Sequence, residues 1–157
     1  MQDKRTNIYL SVFILLIILC LESCYPVTTF SESAYSQAVR LKVESLELIG
    51  KAVENYSGYS AQVDSLNHNL KLAYEYAKGR PGNEIIENQW EIMLNPDRNL
   101  IGGFLRIWKE DLKLSPQFVS EAQSVIGSAF DTIIGLESGK IKSTDLPDGQ
   151  TVKSEEN

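Results

Sequence analysis

Between Phe118 and Ile134 the residues Phe118, Val119, Ala122, Val125, Ile126, Ala129, Phe130, Ile133 and Ile134 recur three and four positions apart. Apolar side chains at that period share one face only if the backbone is helical, and the stripe must then be buried against neighbouring elements. Ser115-Pro116 stands just before it, a favoured N-cap followed by a favoured first helical residue. The same period returns in Tyr59, Val63, Leu66, Leu70, Ala73, Ala77; in Ile85, Ile86, Trp90, Met93, Leu94; and in Leu100, Ile101, Phe104, Leu105, Trp108, Leu112. A looser stripe, Tyr35, Val39, Leu46, Ile49, Val53, Tyr56, is interrupted by Lys42. No stretch alternates with period two between turn signals. The pattern therefore predicts an all-α protein, an antiparallel bundle of four to five helices.

Punctuation sets the boundaries. Tyr56, Val63, Leu70 and Ala77 keep one phase across Gly58, so residues 34–78 can form either one helix or two. A glycine inside a helix costs only about 1 kcal/mol, which favours a single helix from Glu32 to Lys78, bent near Gly58. Gly79-Arg80-Pro81-Gly82-Asn83 reverses the chain, with Gly79 suited to a left-handed cap. Asn95-Pro96 resembles the start of the next helix, and Asp97 suits its dipole. The last helix should fray between Gly135 and Gly139, leaving residues 140–157 as a disordered polar tail. The organisation expected is a signal peptide over 1–23, a tether over 24–33, a helical domain over 34–139 and the tail.

The amino-terminal segment is of another kind. Ile8 to Leu21 carries no charge over 14 residues, and Lys4 and Arg5 precede it. That is a basic region followed by an apolar core, short of the roughly 20 residues a helix needs to span a bilayer, and it reads as a cleaved export signal. Its end, Leu21-Glu22-Ser23-Cys24, resembles the lipobox of bacterial lipoproteins, with Leu21 and Ser23 as the flank of the cleavage site. Glu22 stands where a small or apolar residue is usual. The resemblance implies that the chain is cut before Cys24, that the Cys24 sulfur receives a diacylglycerol group, and that the new amine is acylated too. Ile17-Ile18-Leu19-Cys20 would place the modified residue four positions earlier; the small Ser23 favours Cys24. Two or three acyl chains make a lasting anchor where one holds weakly. The resemblance places the domain outside the cytoplasm on the cell envelope and leaves inner or outer membrane open, since Tyr25 follows the cysteine in place of the aspartate associated with inner-membrane retention.

Cys20 and Cys24 are the only cysteines, so the domain beyond them cannot hold a disulfide. The formal net charge of -6 gives no general electrostatic reason to seek nucleic acid. His68, the single histidine, sits between Asn67 and Asn69 on a polar helical face and reads as solvated. Glu84, Glu87 and Glu91 share a face, as a carboxylate metal site could begin, yet the Glu-x-x-His pairs of di-iron bundles are missing. No nucleophile elbow or phosphate loop occurs, and Gly102-Gly103 falls inside a helical pattern, where it suits close packing. No cofactor is implied. Tyr74, Tyr76, Arg80, Trp90, Asp97, Arg98, Arg106 and Trp108 gather around two turns, and of these Tyr76, Arg80, Trp90, Asp97, Arg98 and Trp108 form a candidate binding surface, because aromatics and arginines are enriched at interfaces. Both tryptophans also occupy positions that a core would choose. Tyr56, Tyr59, Tyr74 and Tyr76 could similarly line a groove. The expectation is a non-enzymatic, membrane-anchored helical module with an envelope protein as partner; the alternative is a bundle that binds a small molecule or lipid.

Overall fold

The structure, a computed structural model, describes residues 30–146; residues 1–29, with the expected signal peptide, Cys20 and Cys24, and residues 147–157 lie outside them. Five α-helices and no strand are found among the described residues: α1 (Glu32–Ile49), α2 (Ser60–Lys78), α3 (Glu84–Leu94), α4 (Ile101–Asp111) and α5 (Pro116–Glu137). The all-α bundle read from the stripes is therefore the fold. None of these helices is long and apolar enough to cross a membrane.

The two longest-range pairings fix the arrangement. Lys42 of α1 meets Asp131 of α5 at 2.6 Å, and Gln123 Nε2 of α5 donates to the Leu46 carbonyl of α1 at 2.9 Å. Numbers rise along one helix as they fall along the other, so α1 and α5 are antiparallel. Ser31 Oγ and Tyr76 Oη lie 3.1 Å apart, which sets the start of α1 beside the end of α2. The core runs through all five helices, with Leu41, Ile49, Leu70, Met93, Ile101, Trp108, Ile126, Phe130 and Ile133 among its most enclosed side chains. Trp90 meets Phe130 edge to face, ring centroids 5.9 Å apart.

Residues 34–78 form two helices, not one. After Ile49 the chain makes two short 3-10 turns, Gly50–Val53 and Tyr56–Gly58, before α2 begins. Asn55 holds the break locally, its Oδ1 accepting from Ser57 N–H at 3.0 Å and from Ser57 Oγ at 2.7 Å, a side-chain mimic of a backbone turn. Distant backbone groups complete it: Tyr56 N–H donates to the Leu112 carbonyl and Leu114 N–H to the Ala52 carbonyl, both at 2.8 Å. The break also shifts the face of α1. Ala34, Ala38, Leu41, Ser45 and Leu48 are buried, whereas Val39 and Val53, expected in the stripe, are exposed.

Other punctuation differs as well. Asn95 ends α3 instead of opening α4; its Oδ1 accepts from Asp97 N–H at 2.8 Å, and α4 starts only at Ile101. Gly79 has ordinary right-handed geometry, and the left-handed residue of that turn is Gly82, φ 68°. There the buried Asn83 caps α2 by donating from Nδ2 to the Ala77 carbonyl at 2.9 Å. The helix α5 runs through Gly135 to Glu137, Gly139 supplies the left-handed residue at φ 71°, and Ile141 N–H returns to the Gly135 carbonyl at 3.0 Å.

The glycine pair admits the close approach foreseen for it, but of the preceding loop. A Cβ on Gly102 would overlap the Leu94 carbonyl, and one on Gly103 the Arg98 carbonyl. Backbone cannot swing aside as a side chain can, so Gly103→Ala is expected to destabilise by about 1–3 kcal/mol, the usual cost of overpacking. Gly58→Ala, where a Cβ would meet nothing within 4 Å, should be neutral or slightly stabilising; urea midpoints for the two variants check the contrast.

Candidate functional site

The helix α2 buries Val63, Leu66 and Leu70, which turns Asp64, Asn67, His68 and Lys71 outward along the adjoining face at helical spacing. Opposite them α4 presents Gly102, Leu105, Arg106 and Lys109. Leu94 and Pro96 close one side and Tyr56 another, leaving an open cleft of about 550 Å³. Its floor is apolar, from Val63, Leu94 and Leu105, and its rim is polar. Three of its four charged residues, Lys71, Arg106 and Lys109, are basic, and the fourth is Asp64.

Arg106 is held in place. Its Nε donates to the Pro96 carbonyl at 3.1 Å and its Nη1 to both carboxylate oxygens of Glu110, at 2.9 and 3.1 Å. Lys71 and Lys109 form no ion pair with the described residues. Tyr56 reaches the cleft because the chain breaks beside it, and its ring packs edge to face on Trp108 at 5.5 Å. Burial raises the Tyr56 phenol above its ordinary value of 10.0, and the nearby Asp64 charge adds to the effect. Tyr59, 5.7 Å from Trp108 on another side, is raised by the hydrogen bond its hydroxyl donates to Glu54 Oε2 at 2.6 Å, with burial and the Glu54 charge contributing less.

The six residues of the candidate surface fall into three places. Trp90 and Trp108 are buried, 2% and 0% exposed, and Trp108 Nε1 donates to the Glu54 carbonyl at 3.1 Å. Asp97 and Arg98 are exposed on the loop before α4. Tyr76 and Arg80 stand at the end of α2, the guanidinium 6.0 Å from the Tyr76 ring. Arg80 Nη1 also donates to both oxygens of Glu137, at 2.8 and 2.6 Å, where the Glu137 side chain is 2% exposed. This pair ties the turn after α2 to the end of α5. Of the tyrosine set, only Tyr56 borders the cleft.

Sequence reading singled out Tyr56, Gly102 and Arg106 but did not join them to the polar face of α2. His68 was placed rightly on a polar face, but what lies across from that face depends on where α4 begins, and Asn95-Pro96 misplaced that start. No group of three or more histidine, cysteine, aspartate or glutamate side chains that could hold a metal ion occurs among the described residues, Glu84, Glu87 and Glu91 included. The chain matches no protein family, no curated protein and no solved structure.

Removing one member of a buried ion pair strands the other charge, at a typical cost of about 3–5 kcal/mol. Arg80→Met should therefore lower stability strongly, and adding Glu137→Leu should restore much of the loss in denaturant titrations. For Tyr56, a raised value in the folded protein favours the neutral phenol, so its contribution to stability is complete below pH about 10 and disappears as pH rises through the raised value. Asp64→Asn should move this titration back toward 10.0, read as tyrosinate absorbance against a Tyr56→Phe reference.

Proposed function

We propose that the chain is a lipid-anchored, extracytoplasmic module of a bacterial cell envelope, tied to the membrane through Cys24 and acting by binding an envelope partner rather than by covalent chemistry. The observation that carries this reading is the order of Lys4-Arg5, the uncharged run to Leu21 and Leu21-Glu22-Ser23-Cys24, since that order suits export, cleavage and acylation in turn. The position of the body is consistent with it. Ser31 accepts from Ala34 N–H as the N-cap of α1, only seven residues beyond Cys24, and seven extended residues reach at most about 25 Å. The start of α1 would then face the bilayer, with the end of α2 and the end of α5 beside it.

A second reading, favoured by the cleft between α2 and α4, makes the body a binder of small molecules. The two are compatible, because an anchor holds a binding site where its ligand is.

Cys24→Ala should abolish acylation, leave the leader uncut and change migration on gels, while Cys20→Ala should leave processing unchanged. Intact mass of the native product checks this directly. A product that keeps its leader and a free Cys24 thiol would remove the proposed anchor.

A further inference from the structure

We propose that the cleft between α2 and α4 binds a small organic anion: a carboxylate or phosphate monoester carried on a short apolar body. This deepens the second reading and does not depend on the anchor.

The charge of the cleft runs against that of the chain. Acidic residues outnumber basic ones 21 to 15 overall, yet three basic residues and one acidic residue line this cleft, and the basic side keeps its excess when the Glu110 carboxylate paired with Arg106 is counted. Lys71 and Lys109 are exposed and have no carboxylate partner among the described residues. Arg106 is oriented by Pro96 and Glu110 through Nε and Nη1, which leaves Nη2 with no hydrogen bond to the described residues. A fixed guanidinium with a spare donor, flanked by ammonium groups on flexible stems, is a donor set suited to carboxylate or phosphate oxygens.

The remaining lining sets the rest of the ligand. The half-buried Leu94, over the buried Val63 and Leu105, offers a small apolar surface to a short hydrocarbon body, and the volume falls in the range of small-molecule sites. Asp64 lies seven residues from Lys71 on the same helix, roughly 10 Å along its axis. It repels an anion from its own end and favours the Lys71 end for the charged group, while Lys109, next to the Trp108 that packs on Tyr56 and Tyr59, lies toward the Asp64 end. Asn67 supplies a hydrogen-bonding group between the acidic and the basic end, and Tyr56 one at the acidic end, where the Asp64 charge reaches its phenol.

His68 is the only histidine in the protein and lines the same cleft, so its imidazole resonance is an unambiguous reporter. The full chain, carrying labelled histidine and held in nanodiscs of phosphatidylcholine, is titrated at constant pH with hexanoate, hexyl phosphate and, as the uncharged control, hexanol. The expected result is a saturable shift of the His68 signal with at least one of the two anions and none with hexanol. The Lys71→Glu/Lys109→Glu double variant should weaken that binding by about tenfold or more, whereas Lys51→Glu, outside the cleft, should leave it unchanged. Both lysines are exposed, so the double variant is expected to fold, and circular dichroism verifies it. Nanodiscs containing phosphatidic acid separate the sources: a shift there without added ligand assigns the site to a lipid headgroup, and a response only to the soluble compounds assigns it to a free molecule. Equal response to hexanol, absence of a saturable shift with both anions and with phosphatidic acid, or binding untouched by the double variant would overturn the proposal.

Discussion

The hydrogen bond from Trp108 Nε1 to the Glu54 carbonyl, 3.1 Å long, joins the end of α4 to a segment where the chain would otherwise continue as helix. Leaving that helix frees backbone groups between Gly50 and Gly58, and buried backbone groups must find partners elsewhere. They find them in Leu112 and Leu114, which exchange hydrogen bonds with Tyr56 and Ala52, and in the indole. Tyr56 and Tyr59 close over Trp108, which is 0% exposed. Leu112 adopts φ 65°, unusual for a residue with a side chain, and in that position its carbonyl receives Tyr56 N–H. The indole, the Asn55 side chain and the Leu112 and Leu114 backbone groups thus meet where α1 ends, α2 starts and α4 joins α5.

Much of this was legible because apolar spacing is a direct consequence of helical geometry. The α2 stripe from Val63 to Ala77 and the α5 positions Val119, Ile126, Phe130 and Ile133 are buried as the period requires. The Ser115-Pro116 start of α5 also holds, with Ser115 Oγ accepting from Phe118 N–H at 3.2 Å. The misreadings have a common physical origin. The break at Gly50–Gly58 has only a modest local signature in Gly50, Asn55 and Gly58, and its decisive partners lie more than fifty residues away. In α1, which packs on both α2 and α5, the buried face mixes the small Ala34, Ala38 and Ser45 with Leu41, Leu48 and Ile49. Small and polar residues at Ala34, Ala38 and Ser45 break up the apolar signal of that face, and the stripe through Val39 runs along a neighbouring one.

At Asn95-Pro96 two rules of equal strength compete, since asparagine before proline serves a helix start and a turn alike. Gly102 and Gly103 decide between them: the Leu94 and Arg98 carbonyls sit where their side chains would be. This packing brings Pro96 beside Arg106 and so shapes one wall of the cleft. The cleft was therefore illegible for the same reason as the loop, although the half contributed by α2 was plain in the spacing of Asp64, Asn67, His68 and Lys71.

The pairing of Arg80 with Glu137 has a mechanical side. It joins the turn after α2 to the far end of α5, beside the place where the described chain begins, Ser31 there approaching Tyr76. Tension entering at Phe30 along the axis of α1 would load that helix in shear against two antiparallel neighbours at once, engaging many side-chain contacts together. Prying contacts apart one by one from an end needs much less force. A body gripped this way resists a pull at the start of α1 without unravelling turn by turn.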